Sequence, residues 1–410
     1  MIMAAAGKTS VLISGAGVAG PVLAYWLQAY GFAPTVVELR QERISSGGHG
    51  VDLFGAGFEV IDRMGLRQQV EAARTRNDTS TVVRPGKASI EIEVSKLASM
   101  LSDQHVEIML DDLVRILHEH SPGEVEYLFG DSIRSLDEHD DGVDVTFAGG
   151  DRRRFDLVVG ADGLHSQVRR LAFGGEPQFR RDLGAAFAVY TVPNFVGADG
   201  HLLVHYAPGK LVTTYGVHGT DEARAVFVFR YTGSYDHRDR AQQQQILREQ
   251  YAGSSWPLVA DLLAAMEDSP GFHFDTITQI RMNRWSTGRI TLVGDAGYSP
   301  GPVVGGSTSL AAVGGYILAG ELAAADGDHR RAFRRYQQAM QPYVTDNRAF
   351  AERAAGTLLP DTAFQLWRND QLTRLIARLP RSVLRRLPMG SSGFGALADL
   401  PLPDHPVRHR

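Results

Sequence analysis

Three glycines, Gly15, Gly17 and Gly20, stand in the stretch VLISGAGVAGPVLAYWLQAYG, between an apolar run and a helix-like pattern. The chemistry this spacing suits is anion binding. A tight strand-to-helix turn needs one residue free of Cβ constraints, a diphosphate on the helix N-terminus needs a second, and close helix–strand packing a third. The bared backbone N–H groups and the helix dipole then favour the negative charge. Glu38 closes a second apolar run, Thr35–Leu39, about twenty residues further on, where a carboxylate can accept the hydroxyls of a ribose. Two other acids sit in similar settings. Asp162 and Gly163 follow an apolar strand in DLVVGADGLHSQVR (Asp156–Arg169), and Asp295 follows another in RITLVGDAGYSPGP (Arg289–Pro302). A carboxylate at the carboxyl end of a strand accepts hydroxyl hydrogen bonds well. The helix beginning at Ser307–Ser309 aims partial positive charge at whatever the preceding loop cradles.

The elements that must position these groups are legible as patterns. Val11–Ser14 reads as a buried parallel strand and Val22–Leu27 as a helix. A helix is expected around Phe58–Met64, a strand pair over Thr81–Val94, and an amphipathic helix over Asp111–His120. Ser132–Asp137 and Val143–Phe147 alternate as strands around an Asp140-Asp141-Gly142 turn. From about Phe179 to Asp275 short alternating stretches (Ala185–Val192, Leu211–Val217, Ala225–Tyr231) predict an antiparallel sheet, with a glutamine-rich helical insert over Arg240–Met266. A helix through Leu310–Ala325 and further helices to about Arg386 follow, then a loop-like tail from Pro388. Apolar strands ending in Gly-Asp or Asp-Gly thus flank the antiparallel block. The expected fold class is α/β: a discontinuous Rossmann-like dinucleotide-binding domain (1–178 and 275–345), a substrate-binding domain (179–274, joined by 79–95), and C-terminal helices and tail (346–410).

Composition narrows the function classes. At 410 residues the chain is long enough for two domains, and a net charge of −5 with 43% hydrophobic residues describes an enzyme rather than a polyanion binder. The absence of cysteine excludes disulfides, Cys-ligated zinc, iron–sulfur clusters and a Cys nucleophile. Four lysines against 38 arginines reflect a compositional bias and say nothing about partners. The leader MIMAAAGKTS is too short for a signal peptide before the first strand, and no apolar run approaches the roughly 20 residues that span a bilayer. A cytoplasmic protein acting on a small molecule, with no nucleic-acid or membrane partner and a monomeric or homodimeric state, is expected.

Set together in this order, the three motifs resemble the flavoprotein monooxygenases of the p-hydroxybenzoate hydroxylase fold, over nearly the whole chain. GGHGVDLFGAGFEVIDRMGL and EIMLDDLVRIL are most similar to the branch containing the tetracycline-inactivating monooxygenases and actinobacterial tailoring enzymes. The resemblance implies FAD as cofactor and NAD(P)H as transient reductant. It implies that Gly15, Gly17 and Gly20 hold the FAD pyrophosphate, Glu38 the adenosine ribose, and Arg43 approaches the ADP half. Asp162 and Gly163 would lie near the dinucleotide and the transient nicotinamide, and Asp295 would bond the ribityl chain or pyrophosphate. Asp52 matches an acid near the isoalloxazine, while Pro302 and Gly305 let the backbone pass along the ring. The activity implied is hydroxylation of an aromatic or polyketide-like compound, in natural-product tailoring or drug inactivation. The cofactor carries the hard chemistry, so no catalytic triad is required. His205, Tyr206, Tyr215, Phe227 and Phe229 of the antiparallel block are expected to wall the substrate pocket.

Three positions depart from the family pattern. Leu110 stands where an arginine is usual, Ser307 where a glycine is, and Tyr298 where a histidine is. Leu110 and Ser307 motivate an alternative: a redox-silent flavoprotein, such as a natural-product cyclase, that keeps FAD as a structural element. Other features read as ordinary surface. His118-Glu119-His120 does not share a helix face, so no metal site is expected. YDHRDR (Tyr235–Arg240) reads as a solvated loop, GFGALA (Gly393–Ala398) as a tail without a preceding strand, and the arginine-rich Arg368–Arg386 as an amphipathic face.

Overall fold

A computed structural model of the chain describes residues 8–41, 48–98, 105–269, 271–302, 306–384 and 401–405. Its organising element is a six-stranded sheet in the order Ser286–Thr287, Ile290–Leu292, Leu157–Gly160, Ser10–Ser14, Ala33–Glu38, Glu126–Phe129. All neighbours are parallel except the first pair. The runs VLI and LVV at its centre are inaccessible to solvent, as expected of strands covered on both faces. Register sets Ser14 beside Gly160 and Gly160 beside Leu292, so three segments distant in sequence end side by side. Helix Ala19–Ala29 connects the first two strands and packs on Gly306–Ala324, a 19-residue helix that is apolar nearly all round and therefore buried. The approach is close: a Cβ on Gly315 would lie 3.1 Å from the Ala19 carbonyl oxygen.

A seven-stranded sheet forms the second body, in the order His273–Ile280, Arg180–Pro193, Glu222–Arg230, Lys210–Gly216, His201–Ala207, Thr79–Val82, Ile90–Glu93. The expected division at 274/275 cuts through its strand His273–Ile280, which pairs with Arg180–Pro193 as far as Ile280. The aspartate at 275 is thus a sheet residue and not the start of the nucleotide-binding part. Helices Arg240–Tyr251 and Leu258–Ala265 cover one face of this sheet, and a two-stranded antiparallel ribbon, Gly50–Phe54 with His105–Met109, lies between the two bodies. Helix Ala363–Arg378 begins in a Thr362/Gln365 capping box and rests on edge strand Ile90–Glu93, with an Arg84–Asp370 ion pair at 2.7 Å. The tail stretch Pro388–Leu400, with GFGALA, lies outside the described residues.

The pleat decides which residues of the second sheet face the helices. Strand partners put Phe227 opposite Val212 and Ala188, and Phe229 opposite Ala186. All of these lie in one core with Leu247, Tyr251, Trp256 and Leu262. His205 joins that side, its ring 5.5 Å from Trp256 and its Nδ1 3.1 Å from the Val83 carbonyl. Side chains alternate, so these three residues point away from the first body. The expectation that His205, Phe227 and Phe229 wall the substrate pocket is therefore corrected: they belong to the helix-covered core. Phe227→Ala is expected to cost about 3–5 kcal/mol in chemical denaturation through the cavity it leaves, without altering the FAD content of the folded protein. A loss of cofactor at unchanged stability would contradict this placement.

Candidate active site

The crevice lies where the strands Ser10–Ser14 and Leu157–Gly160 end, with Ile290–Leu292 ending beside them. Gly15 turns the chain with φ +106°, and a Cβ there would sit 2.4 Å from the Ala161 carbonyl oxygen. A Cβ on Gly20 would lie 2.0 Å from the Gly15 oxygen, so the helix can meet the strand only at a glycine. Gly17 differs: no protein atom lies within 4 Å of where its Cβ would be. It opens onto a cavity of about 420 Å³ that Gly15, Glu38, Leu110, Asp162 and His165 also line. Glu38 accepts the Ala16 N–H at 2.8 Å through Oε2 and the Arg40 N–H at 3.0 Å through Oε1. Each oxygen keeps a lone pair for a ribose hydroxyl. The open side of Gly17, the acceptor capacity of Glu38 and the first turn of helix Ala19–Ala29 fit a dinucleotide's diphosphate and ribose.

The Asp-Gly and Gly-Asp loops close the crevice from the other side. Asp162 spends its carboxylate inside the protein, accepting from Ser166 Oγ at 2.5 Å, Val168 N at 3.0 Å and Ser14 Oγ at 3.4 Å. It thereby fastens helix Gln167–Ala172 to the glycine turn. Burial pushes its pKa up, opposed by those same donors. Gly163, with φ +75°, leaves the loop's outer edge open. Arg169, fully buried, donates to Ala296 O at 2.9 Å, Leu164 O at 2.6 Å and Glu176 at 2.8 Å, so one guanidinium ties the two loops together. Asp295 heads the short helix Asp295–Tyr298, and burial pushes its carboxyl up to about 6 against the Ser299 hydroxyl and the Arg169 charge. Pro302 is exposed beyond it, whereas Arg43 and Gly305 lie outside the described residues.

On its face opposite the helices, the seven-stranded sheet carries Tyr206, Tyr215, Arg224 and Asp275. Tyr215 stands opposite Arg224, and the Tyr215 hydroxyl accepts the Gly50 N–H at 2.8 Å. Arg224, buried, donates to the Gly48 carbonyl at 2.8 Å and to Glu222 at 3.0 Å. His49, between those two glycines, is held neutral: burial and the neighbouring His273 and Arg224 lower its pKa to about 4. Asp52 lies on the two-stranded ribbon and not on the dinucleotide cavity. It pairs with His105 Nε2 at 2.6 Å and stands directly across from Glu107. Burial and the Asp52 charge push the Glu107 carboxyl up, against hydrogen bonds from Thr75 (2.5 Å) and Asn77 (3.4 Å). Arg169, Arg224, His49 and Glu107 carry no strong sequence signal. Arg169 closes the SQVR run, His49 lies within GGHGVDLFGAGFEVIDRMGL and Glu107 opens EIMLDDLVRIL, while Arg224 stands in no motif.

Gly17→Val is expected to keep the melting temperature and circular dichroism of the parent yet give colourless protein, because the new side chain meets only the cavity. Gly15→Val is expected to fail earlier, in folding, since backbone stands where its Cβ must go. A yellow Gly17→Val would remove the cavity from consideration. Leu110→Arg returns a cation to the cavity wall, and flavin titration is expected to show up to about tenfold tighter binding, since a charge-assisted contact there is partly screened.

A profile of the FAD binding domain family matches residues 8–354. A flavin-dependent monooxygenase of an unknown prokaryotic organism is 40% identical over 367 residues, covering 89% of this chain and 94% of that one. Another, from Legionella longbeachae serogroup 1 (strain NSW150), is 38% identical over 341 residues, 83% of this chain and 87% of its own. The crystal structure of tetracycline destructase Tet(55) superposes with a TM-score of 0.82 at 36% identity, covering 97% of this chain and 99% of that one. The chain belongs to the FAD binding domain family, and with these relatives it is an FAD-dependent monooxygenase, an oxidoreductase.

Proposed function

We propose that the chain uses NAD(P)H to insert one oxygen atom into an electron-rich aromatic or polyketide-like small molecule, in natural-product tailoring or drug inactivation in the cytoplasm. One observation carries this reading. The dinucleotide crevice and the inward face of the seven-stranded sheet are joined by a short polar span, in which Tyr215 and Arg224 reach the backbone of Gly50 and Gly48. Bound FAD would supply the redox chemistry, with nicotinamide as reductant and dioxygen as the source of the inserted oxygen. The chain's own residues bind, orient and exclude water. Arg224 and Tyr215 offer a cation and a hydroxyl to an enolate or phenolate oxygen, and the sheet behind them is closed to solvent by its helix-covered core. The N-terminus of Gly306–Ala324 places positive potential on the flavin side. Among the described residues the buried Ser307 hydroxyl has no partner there.

Relatives named as flavin-dependent monooxygenases and a tetracycline destructase at 36% identity support the oxidative reading. The redox-silent alternative drawn from Leu110 and Ser307 gains nothing from them. No helix among the described residues is long and apolar enough to cross a membrane.

The test is reduction of the purified yellow protein by NADPH or NADH without oxygen, then oxygen uptake against a panel of tetracyclines and polyhydroxylated aromatics. At least one compound is expected to accelerate flavin bleaching and to gain a single oxygen atom. Arg224→Ala is expected to raise KM for that compound about tenfold, the scale of one lost charged hydrogen bond. Bleaching that no panel member accelerates, with no oxygenated product, would overturn the proposal.

A further inference from the structure

His165 belongs to neither the glycine turn nor the substrate pocket, yet it touches both bodies. Its ring, on the Asp-Gly loop, lines the dinucleotide cavity. Its Nε2 lies 3.1 Å from Asp275 on the inward face of the seven-stranded sheet, and its Nδ1 lies 3.1 Å from Glu176. Ionised carboxylates only accept hydrogen bonds, so a ring facing one on each nitrogen must donate from both and carries a charge.

The surroundings keep both carboxylates ionised. Arg169 (2.8 Å) and Arg180 (3.3 Å) share Glu176, while the Tyr235 hydroxyl and the Thr276 N–H share Asp275. Despite burial, His165 and its other partners hold Glu176 and Asp275 below the usual carboxylate range. The remaining neighbours are His237, stacked on His165 at 4.4 Å, and His273 two residues before Asp275. Burial and the His165 charge both press His237 toward the neutral form. Burial opposes the charge on His165 too, but the hydrogen bonds and fields of Asp275 and Glu176 outweigh it and raise its pKa to about 9.

We propose that His165 is a positioning residue for the cofactor: a fixed imidazolium that clamps the Asp162–Gly163 loop to the substrate-facing sheet and sets a cation on the wall of the dinucleotide cavity. The inference rests on that cavity holding the FAD phosphates. Because the folded-state pKa lies above the ordinary 6.5, the clamp is complete below pH 6.5 and is lost as pH rises through about 9.

The test joins proton NMR of the His165 ring with FAD titration of wild type, His165→Gln and His165→Lys between pH 6 and 10. The wild-type ring is expected to titrate near 9, and its FAD affinity to fall over the same interval. His165→Gln is expected to bind FAD about tenfold more weakly at pH 7, one charge-assisted contact's worth, and to lose the pH dependence. His165→Lys is expected to recover most of the affinity at pH 7. A ring that titrates near 6.5, or a Gln variant matching wild type at every pH, overturns the proposal. So does a Lys variant as weak as Gln, the mark of a merely structural role. If instead Gly17→Val binds FAD normally, it is the placement of FAD that fails, whatever the ring's titration shows.

Discussion

The molecule hinges on one crossing of two backbones. Gly15 and Ala161 pass so closely that no side chain fits between them, and this contact is possible only because the strands before them are parallel neighbours in register. From it follow the hydrogen bonds of Asp162 to Ser14 and to the helix behind it. Arg169 then carries the linkage on to Ala296 and the third strand end. The crevice is therefore a property of main chain brought together. Its side chains mostly brace the loops, leaving N–H groups and helix ends for an anion. Such a site is rigid because its parts are mutually exclusive in space, which is what placing a flavin to within a fraction of an ångström requires.

What was legible in the sequence follows the same division. Gly15, Gly20 and Glu38 announce themselves because backbone geometry admits few residue types there, and their neighbours supply strand and helix periods on either side. The substrate sheet hides its orientation. Phe227 and Phe229 look like pocket aromatics, yet a period of two marks two faces without saying which one a later helix will cover. Here helices Arg240–Tyr251 and Leu258–Ala265 take that face, leaving Tyr206, Tyr215 and Arg224 on the other. Strand Glu126–Phe129 escaped notice because it is a short, half-exposed edge. Asp275 reads as a domain boundary because the change of texture around it outweighs the short β-branched run that carries its strand on to Ile280. Long-range partners such as Arg224 with Gly48 leave no local trace at all.

Polarity is concentrated where the two bodies meet. Asp52, Glu107, His105, Tyr215, Arg224 and His49 are set around a two-stranded ribbon and one short loop, with a large apolar core on either side. Acids side by side away from bulk water, such as the half-buried Asp52 beside Glu107, are costly unless one is neutral or well bonded. Glu107 meets both conditions, with its pKa raised and hydrogen bonds from Thr75 and Asn77. In the proposed function this belt is where substrate and flavin approach each other. A polar seam between two oily bodies is a sensible home for a ligand that is itself flat, conjugated and edged with oxygens.

The interleaving of the chain has a consequence for biosynthesis. The six-stranded sheet takes its strands from residues 10–38, 126–160 and 286–292, and the last of these closes the cofactor crevice. During translation the first strands emerge while the strand Leu157–Gly160 has no neighbour on its outer side, until Ile290–Leu292 leaves the ribosome. In the interval the whole seven-stranded sheet is made. A nascent chain of this design carries an open, apolar β-edge for more than a hundred residues of synthesis, the kind of surface that invites mispairing. The cofactor crevice is consequently complete only once Ile290–Leu292 and the helix Gly306–Ala324 have been made.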